Sequence, residues 1–588
     1  MVSIVQRSYA AESVANLIQH GIHPVLSRVL AARGVSSADQ LEYSLSGLIP
    51  PEELTNSSAM AKLLADAIAQ HKSLLVIGDY DADGATASAV AVRGLRSMGA
   101  NVDYLVPNRF EYGYGLTPEI VALAAQRKPN IIITVDNGIA SVEGVRAAND
   151  FDIAVLVTDH HLPGDTRPEA ACILNPNQQG CDFPSKNLAG VGVIFYAMLA
   201  LRAELRLRGV FENKAEPNLT ELLDLVALGT VADLVRLDDN NRILVDQGLR
   251  RIRAGKGCPG IRALFRLAGR DPARTSAQDL GFSVAPRLNA AGRLDDMSLG
   301  IACLLTDDER EAQHMAQQLN ELNLARRSIE ADMQDTANLA LEEIDVAGRY
   351  SLSLYNSQWH QGVIGILASR IKERYHRPVI AFARAGNGQD GKPQLKGSGR
   401  SISGLHLRDA LDLLAKRRPE LIVRFGGHAM AAGLTIRESD LNFFTREFEV
   451  VVGGLLTPAD LELVIEVDGA LAASDTNWSV ACAIEQQVWG QGFPLPAFCD
   501  EFEVLDQRVV GERHLKLILA KEGQQFDAIF FQHSDFLPEK IVAVYQLQTN
   551  QYNGAQRVQL NLRHFAPLES ASGFPAASIA LTSKSMAG

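Results

Sequence analysis

From Ser73 onward, short apolar runs alternate with amphipathic stretches. Ser73–Gly78 (SLLVIG), Val102–Val106, Ile131–Val135 and Ile153–Val157 read as buried strands. Ala85–Met98, Pro118–Gln126 and Val142–Asn149 read as the helices between them. Such βαβα alternation predicts a parallel sheet covered by helices. From about Thr306 to Ile344 the chain is polar and nearly free of Gly and Pro. Ala312, Met315, Leu319, Leu322, Ile329 and Met333 recur at spacings of three, four or seven, the apolar face of one long helix. A second α/β stretch follows Tyr350. Beyond about Leu461, alternating segments such as Glu501–Leu505, His514–Ala520 and Asp527–Phe531 predict a small antiparallel β domain. The Ala- and Ser-rich stretch 569–588 reads as a loose tail.

The expected organisation is a helical segment over 1–58, a parallel-sheet domain over 59–305 and a connecting helix over 306–345. A smaller α/β domain over 346–455, a β domain over 456–568 and the tail 569–588 follow. At roughly 150 residues per domain, the 588 residues suit about four domains. With 47% apolar and 21% charged residues, the composition is that of a soluble globular protein. The longest apolar run, Leu188–Leu201, falls short of the roughly 20 residues a bilayer requires and reads as core. Met1 to Gln19 carries Arg7 and Glu12 with no apolar centre, unlike a signal peptide. Six cysteines without a Cys-x-x-Cys pair suggest neither a disulfide framework nor a thiolate zinc site, and a reducing cytoplasm is expected.

The strand ends carry the chemistry. Ser73–Gly78 runs into Asp79-Tyr80-Asp81-Ala82-Asp83-Gly84, Ile131–Val135 into Asp136-Asn137-Gly138, and Ile153–Val157 into Thr158-Asp159-His160-His161. If 79–83 is extended, three carboxylates share a face and repel, and a cation resolves the repulsion. The segment is not an EF-hand loop, because the twelfth position from Asp79 is Val90 rather than Glu and a strand precedes it. Ligands of open α/β sheets bind at this strand edge. Oxygen donors with imidazole favour Mn²⁺ or Mg²⁺ over zinc. Several carboxylates can hold two such ions, an arrangement suited to displacement at phosphorus. No Walker A motif occurs: Lys256 and Lys392 precede Gly257 and Pro393, so ATP hydrolysis is not indicated.

These three motifs, with Leu228-Gly229-Thr230-Val231-Ala232-Asp233, resemble the DHH phosphoesterase superfamily. Trp359-His360-Gln361-Gly362-Val363-Ile364-Gly365 and Phe425-Gly426-Gly427-His428-Ala429 resemble its DHHA1 domain. Pro286-Arg287-Leu288-Asn289-Ala290-Ala291-Gly292-Arg293, the Leu319–Asn323 helix, Gly397-Ser398-Gly399-Arg400 and the Trp489-Gly490-Gln491-Gly492-Phe493-Pro494 segment look like the bacterial RecJ family. The resemblance runs from about residue 60 to about 565. It implies a 5′→3′ exonuclease specific for single-stranded DNA, with an OB-like C-terminal domain for strand binding.

It further implies that Asp136 bridges two ions, that Asp79 and Asp81 bind one, and that Asp83, His160 and Asp233 bind the other. Asp159 and His161 complete the shells or orient the ligands and the scissile phosphate, with Asp81, Asp136, His160 and His161 at the centre of catalysis. Arg109, Arg287, Arg293, Ser398 and Arg400 would bind the 5′-phosphate and strand, with Gly427 and His428 a further contact. Gly397 and Gly399 would let backbone approach the anion. Phe493, Phe502, Phe530 and Phe531 are candidate stacking aromatics of the β domain, with core packing the alternative. A monomer is expected, with single-strand-binding protein and a RecQ-type helicase as partners in recombination and mismatch repair. A phosphoanhydride or dinucleotide hydrolase is the rival enzyme, though it needs no extra β domain. A scaffold that has lost its chemistry would lack the acids that are all present here.

The net charge of -13 runs against a DNA substrate, but it averages unlike regions. Ser357–Gly427 holds 13 Lys and Arg against 5 Asp and Glu, +8, which leaves -21 elsewhere. Part of that deficit is the candidate ligand set, which two cations would offset.

Overall fold

A computed structural model describes residues 2–107, 115–342, 345–388, 391–511, 513–552 and 555–568. Arg109 and the stretch read as a tail lie outside these residues. The chain forms two compact units. One comprises Met1–Ile4 and Glu321–Ile465, the other Val5–Asn320 and Glu466–Gly588. The boundary between them falls inside a 34-residue helix, Glu309–Glu342.

The larger unit is built on five parallel strands in the order Asn101–Leu105, Ser73–Gly78, Ile131–Val135, Ala154–Thr158, Cys172–Leu174. The three-residue last strand was not foreseen. The central strands are apolar runs because both of their faces are covered. Leu75, Ile77, Ile132, Val155 and Val157 pack against helices Pro118–Ala125 and Val142–Asp150. Helices Ala82–Ser97 and Gly190–Leu207 cover the other face, with Leu223–Ala232 packed beside them.

The C-terminal part of this unit is a closed five-stranded barrel: Phe498–Val510, His514–Lys521, Gln524–Phe530, Ala555–Pro567 and Lys540–Tyr552. It is not wholly antiparallel as expected. Asp527–Phe530 pairs in parallel with Gln559–Leu562, and this pairing closes the barrel. The WGQGFP segment joins the barrel to the sheet domain. Gln491 accepts from the Leu237 N–H at 2.8 Å, and the Arg242 guanidinium lies 4.3 Å over the Phe493 ring. Arg33 grips Asp468 through both carboxylate oxygens, at 2.7 and 3.0 Å, and donates to the Pro494 carbonyl at 2.7 Å. Phe493 and Phe502 are buried core, which corrects their candidacy for base stacking. Phe531 is exposed, and Phe530 stacks on His533 at 4.5 Å.

The smaller unit has a mixed sheet in the order Arg424–Gly427, Ala431–Arg437, Pro393–Arg400, Val379–Asn387, Leu352–Tyr355. Its last pair is parallel and the others antiparallel. Helices Leu407–Arg417 and Leu441–Leu455 bury a core around Phe382, Phe444 and Phe448. The long helix buries a stripe offset from the predicted one: Ala312, Ala316, Leu319, Asn323, Arg326, Glu330 and Met333. Met315, Leu322 and Ile329 are only half-buried. The stripe tolerates polar members because they satisfy one another: Arg326 donates to Asn323 at 2.7 Å and pairs with Glu330, which also meets Arg370 at 3.1 Å.

Candidate active site

The sheet registers bring the acids together. Gly78 pairs with Val135, and Val135 with Thr158, so three neighbouring strands end level. The next residue of each is therefore Asp79, Asp136 or Asp159, on one edge. Asp136 takes φ 61°, a left-handed conformation uncommon for aspartate, and this turns the chain sharply off the strand.

The loop 79–84 is not extended throughout, which corrects the expectation. The helix begins at Ala82, and Asp81 is its N-cap, accepting from the Gly84 N–H at 3.0 Å. Asp83 sits in the first turn and is fully buried. Its two oxygens accept from the N–H groups of Gly190 at 2.6 Å and Val191 at 2.9 Å, the first residues of helix Gly190–Leu207. The acids therefore divide between two directions instead of sharing one face.

Three overlapping groups of donor atoms result, each with all its atoms within 4.8 Å: Asp79, Asp81 and Asp136; Asp83, His160 and Asp233; and Asp136, His160 and His161. His160 Nε2 lies 3.1 Å from Asp136 Oδ1 and 3.5 Å from Asp233 Oδ2. Asp233 arrives as the C-cap of helix Leu223–Ala232. Asp136 Oδ1 is buried and accepts no hydrogen bond among the described residues. A buried carboxylate oxygen without a donor calls for a cation. Oxygen and imidazole donors without thiolate fit Mn²⁺ or Mg²⁺.

Asp159 stands outside these groups. Oδ1 accepts from the His160 N–H at 2.7 Å, the His161 N–H at 3.1 Å and His161 Nδ1 at 2.7 Å, and Oδ2 accepts from the Ile139 N–H at 2.9 Å. With both oxygens so committed, Asp159 is placed to orient the two histidines, the second of the two roles expected of it.

Electrostatics match the crowding. Burial, then the Asp81 charge, raises the Asp83 carboxyl to about 7. Burial, then Asp83 and the other nearby acids, also pushes Asp136 and Asp233 well above the usual carboxylate range. Burial opposes a charged His161, but the hydrogen bond and charge of Asp159 outweigh it and raise the imidazole to about 9. Burial would raise Asp159, yet its bonds to His161 hold it below its ordinary value.

Three supports escaped the sequence reading. Asn289 Oδ1 accepts from the Ala82 N–H at 2.9 Å. Gly292 lies so close to the loop that a Cβ would stand 1.8 Å from the Tyr80 carbonyl. The motif read as a family signature is therefore a clamp on residues 80–82. Gly190 was read only as core. Its signal was the Gly-x-Gly at the start of an apolar helix, but its partners lie more than 50 residues away in the chain. From the same clamp helix, Arg287 donates to Asn320 Oδ1 at 3.0 Å and to the Ser283 carbonyl, and Arg293 lies half-buried near the helix end.

In the smaller unit, Ser398 and Arg400 share one face of their strand, and Arg400 Nη1 lies 3.3 Å from Ser398 Oγ. The first turn of helix Ile364–Tyr375 sits on them: a Cβ on Gly365 would lie 2.9 Å from Ser398 Oγ and 3.1 Å from Arg400 Nη2. A guanidinium beside a helix N-terminus is suited to an anion. Gly397 and Gly399 do not serve anion approach. They face the core, where a Cβ would strike the Phe382 ring at 2.6 Å and Leu407 at 2.7 Å. Gly427 takes φ 144° in the tight hairpin that presents His428, whose N–H donates to the Ala431 carbonyl at 2.8 Å.

Comparison with known proteins agrees with this architecture. Residues 73–230 match the DHH family N-terminal domain, 348–453 the DHHA1 domain and 467–564 the RecJ OB domain. The single-stranded-DNA-specific exonuclease RecJ of Salmonella typhimurium is 50% identical over 559 residues, 93% of this chain and 96% of that protein. That of Escherichia coli is 49% identical over 559 residues, with the same shares. The crystal structure of Thermus thermophilus RecJ in complex with Mn²⁺ superposes with a TM-score of 0.80 at 29% identity, covering 96% of this chain and 79% of that one. The chain belongs to the RecJ family of exonucleases.

Proposed function

We propose that this protein degrades single-stranded DNA from the 5′ end, releasing 5′-mononucleotides, with two divalent cations, Mn²⁺ or Mg²⁺. The observation that carries this reading is the sharing of Asp136 between two donor groups, one with Asp79 and Asp81 and one with His160. His160 is shared in turn with a further group, Asp83 and Asp233. Bound cations supply charge stabilisation at phosphorus and acidify an attacking water. The chain's own part is positioning. Asp159 holds His161 through Nδ1 at 2.7 Å, which orients the imidazole toward the scissile phosphate. Ser398, Arg400 and the helix turn at Gly365 receive the terminal phosphate, with Arg109, Arg287, Arg293, Gly427 and His428 along the strand. A site that recognises a terminal phosphate gives the reaction its exonucleolytic direction. We further infer a cytoplasmic monomer that acts in recombination and mismatch repair, supplied with strands by a RecQ-type helicase and recruited by single-strand-binding protein.

The test uses oligonucleotides labelled at either end, single- and double-stranded, with Mn²⁺, beside inorganic pyrophosphate. Mononucleotides released from the 5′ end of single strands only, and none by Asp136→Ala, is the expected result. Phosphate released from pyrophosphate with the DNA intact would overturn the reading in favour of a phosphoanhydride hydrolase.

A further inference from the structure

Phe282 is 80% exposed, an unusual setting for a phenylalanine in a well-packed unit. It lies at the centre of a π-helical turn, Leu280–Val284, that runs directly into the clamp helix Ala285–Leu294. Turns of this kind are rare and concentrate at functional sites. The neighbouring Gly281 packs on helix Leu223–Ala232, where a Cβ would lie 3.2 Å from Val231 Cγ1. Asp233 follows two residues later. Leu234, beside Asp233, is 65% exposed and takes φ 59°, a conformation disfavoured for leucine. Leu162, directly after His161, is exposed as well. Large apolar side chains left in water singly need no explanation. These three stand on separate elements: Leu162 follows His161, Leu234 follows Asp233, and Phe282 follows the glycine that packs on the helix ending at Asp233.

Exposed apolar and aromatic side chains next to phosphate-handling residues match one part of the substrate, the flat face of a nucleobase. In a duplex that face is already stacked on its neighbours, whereas in a single strand it is available. We infer that Phe282, together with Leu234, is the platform for the base next to the scissile phosphate, and that this contact contributes to the selection of single strands. The inference rests on the exonuclease reading.

The experiment compares wild type, Phe282→Ala and Phe282→Trp on two single-stranded oligonucleotides, one ordinary and one abasic at its 5′-terminal positions. An exposed position leaves the fold intact, and circular dichroism checks this. On the ordinary strand, KM rises on the order of tenfold for Phe282→Ala and stays near wild type for Phe282→Trp. On the abasic strand, wild type and Phe282→Ala behave alike. An equal loss on both strands, or no loss on either, overturns the inference while the nuclease reading stands. A wild type that leaves the ordinary strand intact overturns the reading and the inference together.

Discussion

Gly190 lies against Asp136 so closely that a Cβ on the glycine would come within 2.5 Å of the Asp136 Cβ and 2.6 Å of its Oδ1. The Gly190 N–H meanwhile donates to Asp83 Oδ2 at 2.6 Å. One backbone position thus seats an acid of each donor group. Gly190→Ala displaces both carboxylates while leaving the sheet intact. We expect activity to fall by about 100-fold, at the upper end of losses on disturbing a ligand's support. Steady-state kinetics beside an unchanged far-ultraviolet circular dichroism spectrum checks this.

Asn289 acts at one remove, through the Ala82 N–H between Asp81 and Asp83. Asn289→Ala leaves that donor without its partner and loosens the loop. Mn²⁺ affinity is expected to fall about 10-fold. Excess Mn²⁺ should then restore much of the activity, a rescue that Asp136→Ala would not show. Activity titrated against Mn²⁺ distinguishes the two.

Crowded acids make the metal-free protein sensitive to pH. Asp83, at about 7, holds its proton in the folded state well above the range where an unfolded aspartate releases it. The folded state therefore binds more protons than the unfolded state between about pH 4 and 7, and stability falls as pH rises through that window. Metal-stripped protein should melt lower at pH 8 than at pH 6. Added Mn²⁺ should remove the difference, because the cation takes the place of the protons and releases them. Melting curves at the two pH values, with and without Mn²⁺, test the sign.

The barrel's attachment depends on a buried ion pair. Asp468 and the Arg33 side chain are both buried. Among the described residues, Arg33→Ala leaves that carboxylate facing Arg7, at 3.5 Å, and the Ala497 N–H, at 3.0 Å. The expected cost is about 3 kcal/mol. It should appear as a lower midpoint of the first denaturant-induced transition, while metal affinity is unchanged.

Much of this site is legible in the chain because strand ends are local signals. An apolar run followed by Asp79, Asp136 or Asp159 locates the sheet edge without any tertiary information, and equal registers do the rest. What was misread depended on partners distant in sequence. The 79–84 loop looks extended until Asp81 is recognised as a cap for Gly84. Gly397 and Gly399 suggest phosphate approach, yet it is Phe382 and Leu407 that require their lack of a side chain. Phe493 and Phe502 are aromatics of a β domain, but only barrel closure and the Arg242 contact show that they face inward. Arg326 and Glu330 broke the predicted apolar stripe of the long helix because a mutually satisfied pair can be buried where periodicity expects carbon.

We propose that Asp136 is common to two cation sites. Electron paramagnetic resonance on protein titrated with Mn²⁺ tests it most directly. We predict two ions per chain, with an exchange-coupled spectrum from the second equivalent onward, and loss of the coupling in Asp136→Asn. A single ion at saturation, or two ions with independent spectra in the wild type, would contradict it.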